Sequence, residues 1–194
     1  MPLHIAAEHH PEMGSAVIVA GINLNVRCGG SGRTALHIAL LYNDRLDLAR
    51  EIINAGCKLN IRDDVGCAEL HKALLIQRRD RWKLSVTSRI TRDRQTHRSI
   101  VPVDAVLSAE SLSLVSLLLE RGADVNIQGE RGTRFRGIGN METPLIYAVR
   151  FRNPDLTKLL LAHQPDLSIR DFCGQTPLEI AESQGFNEVA DKLR

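Results

Sequence analysis

Aromatic side chains are scarce in this 194-residue chain, at 4% of the total with a single tryptophan. Rings usually supply much of the area buried in a globular core. Leu, Ile, Val and Ala are plentiful instead, which suits thin layers of stacked helices whose aliphatic core is spread along the chain. Cysteine is sparse as well. Cys28, Cys57, Cys67 and Cys173 form no Cys-x-x-Cys pair and no regular framework, so neither a zinc site nor a disulfide scaffold is signalled. No apolar run approaches the length of a membrane span, and Met1-Pro2-Leu3-His4 opens neither a basic nor an apolar signal segment. Free thiols in a reducing compartment are therefore expected, in the cytoplasm, with the nucleus as the alternative.

Charge of one sign is lacking too. The net charge is only +2, so the whole chain does not act as an electrostatic binder of nucleic acid. The distribution is uneven, however. Residues 77–98 hold eight Lys or Arg against two Asp, a local +6, and the remainder carries −4.

What the chain has is a phrase that returns. It reads Pro2-Leu3-His4-Ile5-Ala6, then Thr34-Ala35-Leu36-His37-Ile38-Ala39, then Ala68-Glu69-Leu70-His71-Lys72-Ala73. Later it reads Thr143-Pro144-Leu145-Ile146-Tyr147-Ala148 and Thr176-Pro177-Leu178-Glu179-Ile180-Ala181. The leucines are separated by 33, 34, 75 and 33 residues. Four times a second apolar segment is followed by Gly or Pro and a short extended piece: Gly21 to Asn25, Gly56 to Asn60, Gly122 to Asn126 and Pro165 to Ser168. A fixed period near 33 marks a solenoid whose units bury their faces against one another.

These motifs resemble the ankyrin-repeat family over residues 1–194, with two interruptions. Thr-Pro-Leu-x-x-Ala stands at Thr143 and Thr176, Leu-His-Ile-Ala at Leu3 and Leu36, and Leu117 to Asn126 is close to the family consensus. The resemblance implies an all-α ankyrin-repeat solenoid of about five helix-turn-helix repeats joined by β-turn fingers and used for binding proteins. The repeats are placed at about 1–32, 33–66, 67–133, 134–173 and 174–194 of a single domain. Family settings include scaffolds, adaptors and inhibitors of transcription factors.

Local chemistry supports the same elements. Thr176 caps a helix, Pro177 stands where no backbone donor is needed, and Glu179 completes a Thr-x-x-Glu capping box. Gly185 permits a sharp turn, and Val189 and Leu193 share the apolar face of the returning helix. Asn43 takes the corresponding turn in the second repeat. Repeat one is the weak end: Met1 stands where Thr caps others, Gly14 interrupts the second helix, and Val17, Ile18 and Val19 have little to shield them. The expectation is a fragment or truncated product of a longer array. At the other end Glu182, Gln184, Asn187, Glu188 and Asp191 supply the polar face of a capping repeat.

Two interruptions distinguish this array. About 32 extra residues, 77–108, lie between the two helices of repeat three. Nine more extend one finger over 127–142. Insertions in solenoids fall on loops, often on the binding face. Arg78, Arg79, Trp82 and Lys83 in the first could meet an acidic protein surface, while nucleic acid or an anionic surface contacted through 77–98 is the alternative. Ser, Thr, Arg and Gln between Ser85 and Ser99 also suit a solvated loop without a ligand. In the second, Phe135 flanked by Arg131, Arg134 and Arg136 has the composition of an interface anchor, or folds back on its own finger. The family resemblance places further partner contacts at finger tips, among them Arg62, Asp64, Arg170 and Phe172. It also makes Asn126 a candidate for hydroxylation, because Leu118 to Asn126 resembles segments modified by an asparaginyl hydroxylase.

No residue set points to catalysis. There is no Gly-x-Ser-x-Gly elbow, and Gly29-Gly30-Ser31-Gly32 lacks the Lys-Ser/Thr of a phosphate loop. His4, His37 and His71 recur in phase, and a structural role bonding to nearby backbone explains that better than a metal ladder. The expectation is a monomeric, non-enzymatic interaction module with no cofactor, no metal and no membrane span.

Overall fold

The computed structural model describes residues 1–41, 45–74, 109–129 and 141–194. Among them there are helices and turns but no strand. The helices are α1 (Pro2–His9), α2 (Gly14–Val19), α3 (Ala35–Ala39), α4 (Leu46–Asn54) and α5, helical from 69 to 74. They continue with α6 (Ala109–Glu120), α7 (Pro144–Arg150), α8 (Pro154–Leu161), α9 (Pro177–Ser183) and α10 (Asn187–Leu193).

Each first helix of a pair starts where the repeated phrase places it. The hydroxyls of Thr34, Thr143 and Thr176 accept the N–H three residues on, and Pro144 and Pro177 fill the first turn without forfeiting a donor. The Thr176–Glu179 capping box is formed as read. Such a cap contributes about 1 kcal/mol, enough to fix a boundary though not to hold so short a helix alone. Packing holds it. Helices α1 and α2, α3 and α4, α7 and α8, and α9 and α10 touch as pairs. Across pairs, α1 meets α3 and α7 meets α9 in one layer, while α2 meets α4 and α4 meets α6 in the other. One continuous aliphatic core runs from Leu3 to Leu193, with Leu36, Ile52, Leu70, Leu114, Leu118, Leu145 and Ile146 fully buried.

The first repeat behaves partly as expected. Met1 gives α1 no side-chain cap, and Val19 is 87% exposed. Val17 and Ile18, however, are half-buried against the core. Gly14 is no flaw either: a Cβ there would lie 2.2 Å from Leu48 Cδ1, so its bareness lets α2 settle on α4. At the other end Val189 and Leu193 are buried as the four-residue spacing requires, and Gly185 adopts φ +64°.

The expected turn at Asn43, the insertion 77–108 and most of the long finger lie outside the described residues. The edges of the interruptions are described. Gly129 N–H reaches Glu142 O at 3.3 Å and Gln128 Nε2 donates to Met141 O at 2.8 Å, closing the base of the long finger. Tyr147 Oη donates to Leu74 O at 3.4 Å, tying α7 to the last described turn of α5.

Candidate functional site

The fingers are built by short-range polar chemistry. In three finger bases an Asn or Asp side chain accepts the N–H two residues on: Asn23 from Asn25, Asp124 from Asn126, and Asp166 from Ser168; the second finger carries Lys58 there, which has no side-chain acceptor. This turn folds the chain back by itself. The next Asn then crosses to the following repeat. Asn25 Oδ1 accepts Lys58 N–H at 2.7 Å, Asn60 accepts Asp124 N–H at 2.8 Å, and Asn126 accepts Asp166 N–H at 2.8 Å. Three equivalent bridges therefore register each finger on its neighbour.

The tips are braced in turn. Asp63 Oδ1 accepts the N–H groups of Val65 and Cys67 at 3.1 and 2.9 Å, and Asp171 Oδ1 accepts those of Cys173 and Gln175 at 2.8 and 2.9 Å. A cation from a helix faces each: Lys72 Nζ lies 2.7 Å from Asp63, and Arg150 contacts Asp171 while its Nε lies 2.7 Å from Glu142. Arg27 donates to Gly32 O and Asp64, both at 2.9 Å. Gly32 has φ +60°, and a Cβ there would fall 2.1 Å from Asp64 Oδ1, so only glycine fits beneath that pair.

These contacts link the fingers laterally. Asp64 N–H donates to Ser31 O at 3.1 Å, Arg62 Nη1 donates to Gly66 O and to Gln128 O at 2.6 Å, and Gln128 Nε2 reaches Arg170 O at 3.0 Å. Arg170 in turn lies 3.1 Å from Glu179. Exposed ion pairs contribute at most about 1 kcal/mol each, so the bonds directed at backbone do most to hold the row.

Behind the fingers, histidines join repeats. His4 Nε2 bonds to Arg33 O and His37 Nε2 to Cys67 O, both at 3.1 Å; each carbonyl belongs to the residue just before the next helix cap. The Nδ1 atoms of His37 and His71 accept the N–H of Thr34 and Ala68 at 3.2 Å, the service that Glu179 renders to Thr176. Burial holds the pKa of both His37 and His71 down to about 4, so both rings are neutral at physiological pH. Around His37 lies a buried ionisable cluster. Burial pushes Glu69 up to about 7. Burial works the same way on Asp63, but hydrogen bonding and charge from Lys72 win and hold it below the ordinary carboxylate value. Burial raises the thiols of Cys57, to about 11, and of Cys67.

Of the residues singled out in the sequence, Arg62, Asp64, Arg170 and Phe172 are exposed on fingers as expected. They are not equivalent. Arg62 and Arg170 each brace their own tip, whereas Phe172 is 51% exposed, and Leu167 of the same finger is 37% exposed. Arg78, Arg79, Trp82, Lys83, Arg131, Arg134, Phe135 and Arg136 lie outside the described residues. Asn126 is half-buried with its Oδ1 engaged by Asp166. The crossing asparagines and the tip-bracing Asp63 and Asp171 went unread, though a signal existed. Asn25, Asn60 and Asn126 recur in phase, and Asp63 and Asp171 both stand five residues before a helix cap.

Among the described residues no group of three His, Cys, Asp or Glu is arranged to hold a metal ion, and no helix is long and apolar enough to cross a membrane. The geometry defines a solenoid of helix pairs whose fingers form one laced edge. Residues 118–181 match the family description "Ankyrin repeats (many copies)" and residues 31–64 match "Ankyrin repeat", together about half of the chain. This chain belongs to the ankyrin-repeat family. It is similar to the Nuclear factor NF-kappa-B p105 subunit of Gallus gallus, 29% identical over 168 residues covering 84% of this chain and 16% of that protein. NF-kappa-B inhibitor alpha of Gallus gallus is 28% identical over 177 residues, 84% of this chain and 50% of that protein. Neurogenic locus notch homolog protein 1 of Homo sapiens is 26% identical over 175 residues, 90% of this chain and 6% of that protein. The chain thus spans half or less of the length of these relatives.

Proposed function

We propose that this chain is a non-enzymatic scaffold or adaptor that binds a partner protein along its finger edge and the adjoining helical layer. The observation carrying this reading is the lateral lacing from Arg27 through Asp64, Arg62 and Gln128 to Arg170. A pre-ordered edge loses little conformational freedom on binding, so more of its contact energy appears as affinity. Ankyrin repeats serve protein–protein interaction, and one similar protein is by name an inhibitor of NF-kappa-B. Phe172 and Leu167 offer apolar contact, and the basic insertions at Arg78, Arg79, Trp82, Lys83 and Arg131 to Arg136 add attraction for an acidic surface. The chain works in the cytoplasm or nucleus as a monomer in this reading.

The test is affinity capture with the intact chain, with Asp64→Lys and Phe172→Ala, and with Lys158→Ala on the outer helix α8. Partners captured by the parent and by Lys158→Ala should be lost or at least tenfold depleted with the finger variants. A captured set indifferent to both finger changes would overturn the proposal. Deleting 77–108 separates the alternative: steeply salt-dependent RNA binding that vanishes with the deletion would favour nucleic acid instead. Asn126 is also proposed as a hydroxylation substrate, and mass spectrometry after exposure to an asparaginyl hydroxylase should find one added oxygen; no mass gain removes it.

A further inference from the structure

Glu69 departs from its repeat. The first helical position carries Pro2, Ala35, Pro144 and Pro177 in the other four phrases, and here it carries a carboxylic acid that is 1% exposed. Its Oε2 accepts Asn60 N–H at 2.9 Å, fastening the start of the second finger to α5. Its Oε1 is buried without a hydrogen-bond partner. The nearest ring nitrogen, His37 Nε2, is 3.9 Å away and already donates to Cys67 O.

The charges around it do not help an ionised Glu69. Lys72 Nζ sits 2.7 Å and Arg33 Nε 3.5 Å from Asp63 Oδ2, so both cations serve the neighbouring carboxylate. Among the described residues the Cys57 thiol also feels the Glu69 charge and brings no positive charge, and the buried Cys67 thiol beside Lys72 and Asp63 brings none either. His37 cannot take the proton and become the missing cation. Its Nδ1 must stay an acceptor for Thr34 N–H, and its Nε2 is already a donor, so a proton on Nδ1 would break the cap of α3. An anion on Glu69 would be a second buried negative charge beside Asp63 with no cation of its own; the backbone N–H groups of Glu69, Asn60 and Ile61 favour it, but burial outweighs them.

We infer that Glu69 is a proton-dependent latch between repeats two and three: as the neutral acid it closes the joint of α3, α5 and the second finger, and on losing its proton it loosens them. The latch governs how firmly the finger carrying Arg62 and Asp64 stands. Its operation is a property of the unbound chain and does not depend on which partner the fingers take. Burial in these surroundings pushes the Glu69 carboxyl up to about 7, inside the range a cell visits.

The experiment uses the full 194-residue chain. Side-chain carboxyl carbons of 13C-labelled glutamates are followed by NMR from pH 4 to pH 8, with Glu69 assigned in the wild-type chain and checked by loss of its signal in Glu69→Gln. The Glu69 carbon should titrate near pH 7, and amide exchange at Asn60 and Cys67 should quicken across the same interval. By linkage, the folding constant of Glu69→Gln relative to wild type should rise by up to about tenfold per pH unit between the ordinary carboxyl range and neutrality. A Glu69 carbon titrating in the ordinary range near 4.3 overturns the inference. So does a stability ratio that stays flat with pH. Should Glu69→Gln fail to fold, the wild-type carbon titration and amide exchange decide on their own.

Discussion

Asn60 illustrates how much one side chain does in this array. Its Oδ1 accepts Asp124 N–H at 2.8 Å, its Nδ2 donates to Gly122 O at 3.1 Å, and its own N–H is held by Glu69. Its backbone stands at φ +64°, a conformation that Asn tolerates and most residues resist. Asn126 makes the same crossing bond to Asp166 without a left-handed backbone. Asn60→Ala should therefore cost about 2–4 kcal/mol, lost bridges plus backbone strain, and Asn126→Ala about 1–2 kcal/mol. Chemical denaturation checks the order, and Asn60→Gly should recover the strain component but not the bridges. The caps were readable because Thr, Pro and Glu act on groups three residues away. The phase of Asn25, Asn60 and Asn126 is legible in the sequence too, but the bonds they make are not, because their partners lie 33 to 64 residues away.

Among the elements, the short helices exist by virtue of their neighbours. The five residues of α3 are all buried, far too few to persist alone. Leu118 on α6 is 0% exposed in the shared core, so Leu118→Ala should cost about 2–5 kcal/mol. Because each repeat touches chiefly its neighbours, amide protection should fall most in α4 and α6 and least in α1 and α10, which hydrogen exchange can map. A uniform loss across all helices would contradict nearest-neighbour coupling. Gly14 makes the converse point: read along the sequence it is a helix breaker, yet it lets α2 approach Leu48. Only the partner helix reveals which reading holds.

For the molecule as a whole, proton linkage gives stability a maximum near neutrality. His37 and His71 have folded pKa values of about 4, below their unfolded values, so the unfolded chain binds more protons there and stability is lost as pH falls from 6.5 towards 4. Glu69 has the opposite sign: its folded value near 7 exceeds 4.5, so its contribution is lost as pH rises between them. In the shared interval two histidines outweigh one carboxyl by one proton, and stability should rise by about 1.4 kcal/mol per pH unit at most. Above 6.5 only Glu69 remains and the curve should turn down slightly. Below 3.8 Asp63, held low by Lys72, adds to the acid loss. Denaturation midpoints measured from pH 4 to pH 8 test the position of the maximum, and Glu69→Gln should steepen the acid limb towards about 2.7 kcal/mol per unit.

Period, caps and aliphatic patterning were enough to establish the helix pairs, their order and the family. Those signals act within one repeat, and recurrence multiplies them. Burial of Glu69, the locked tautomer of His37, the fit of Gly14 and the lacing from Arg62 to Gln128 and Arg170 were decided only by tertiary structure. Each depends on a partner one or more repeats away, and solvent exclusion, which sets the cost of an unpaired charge, exists only once neighbouring repeats have closed over the group.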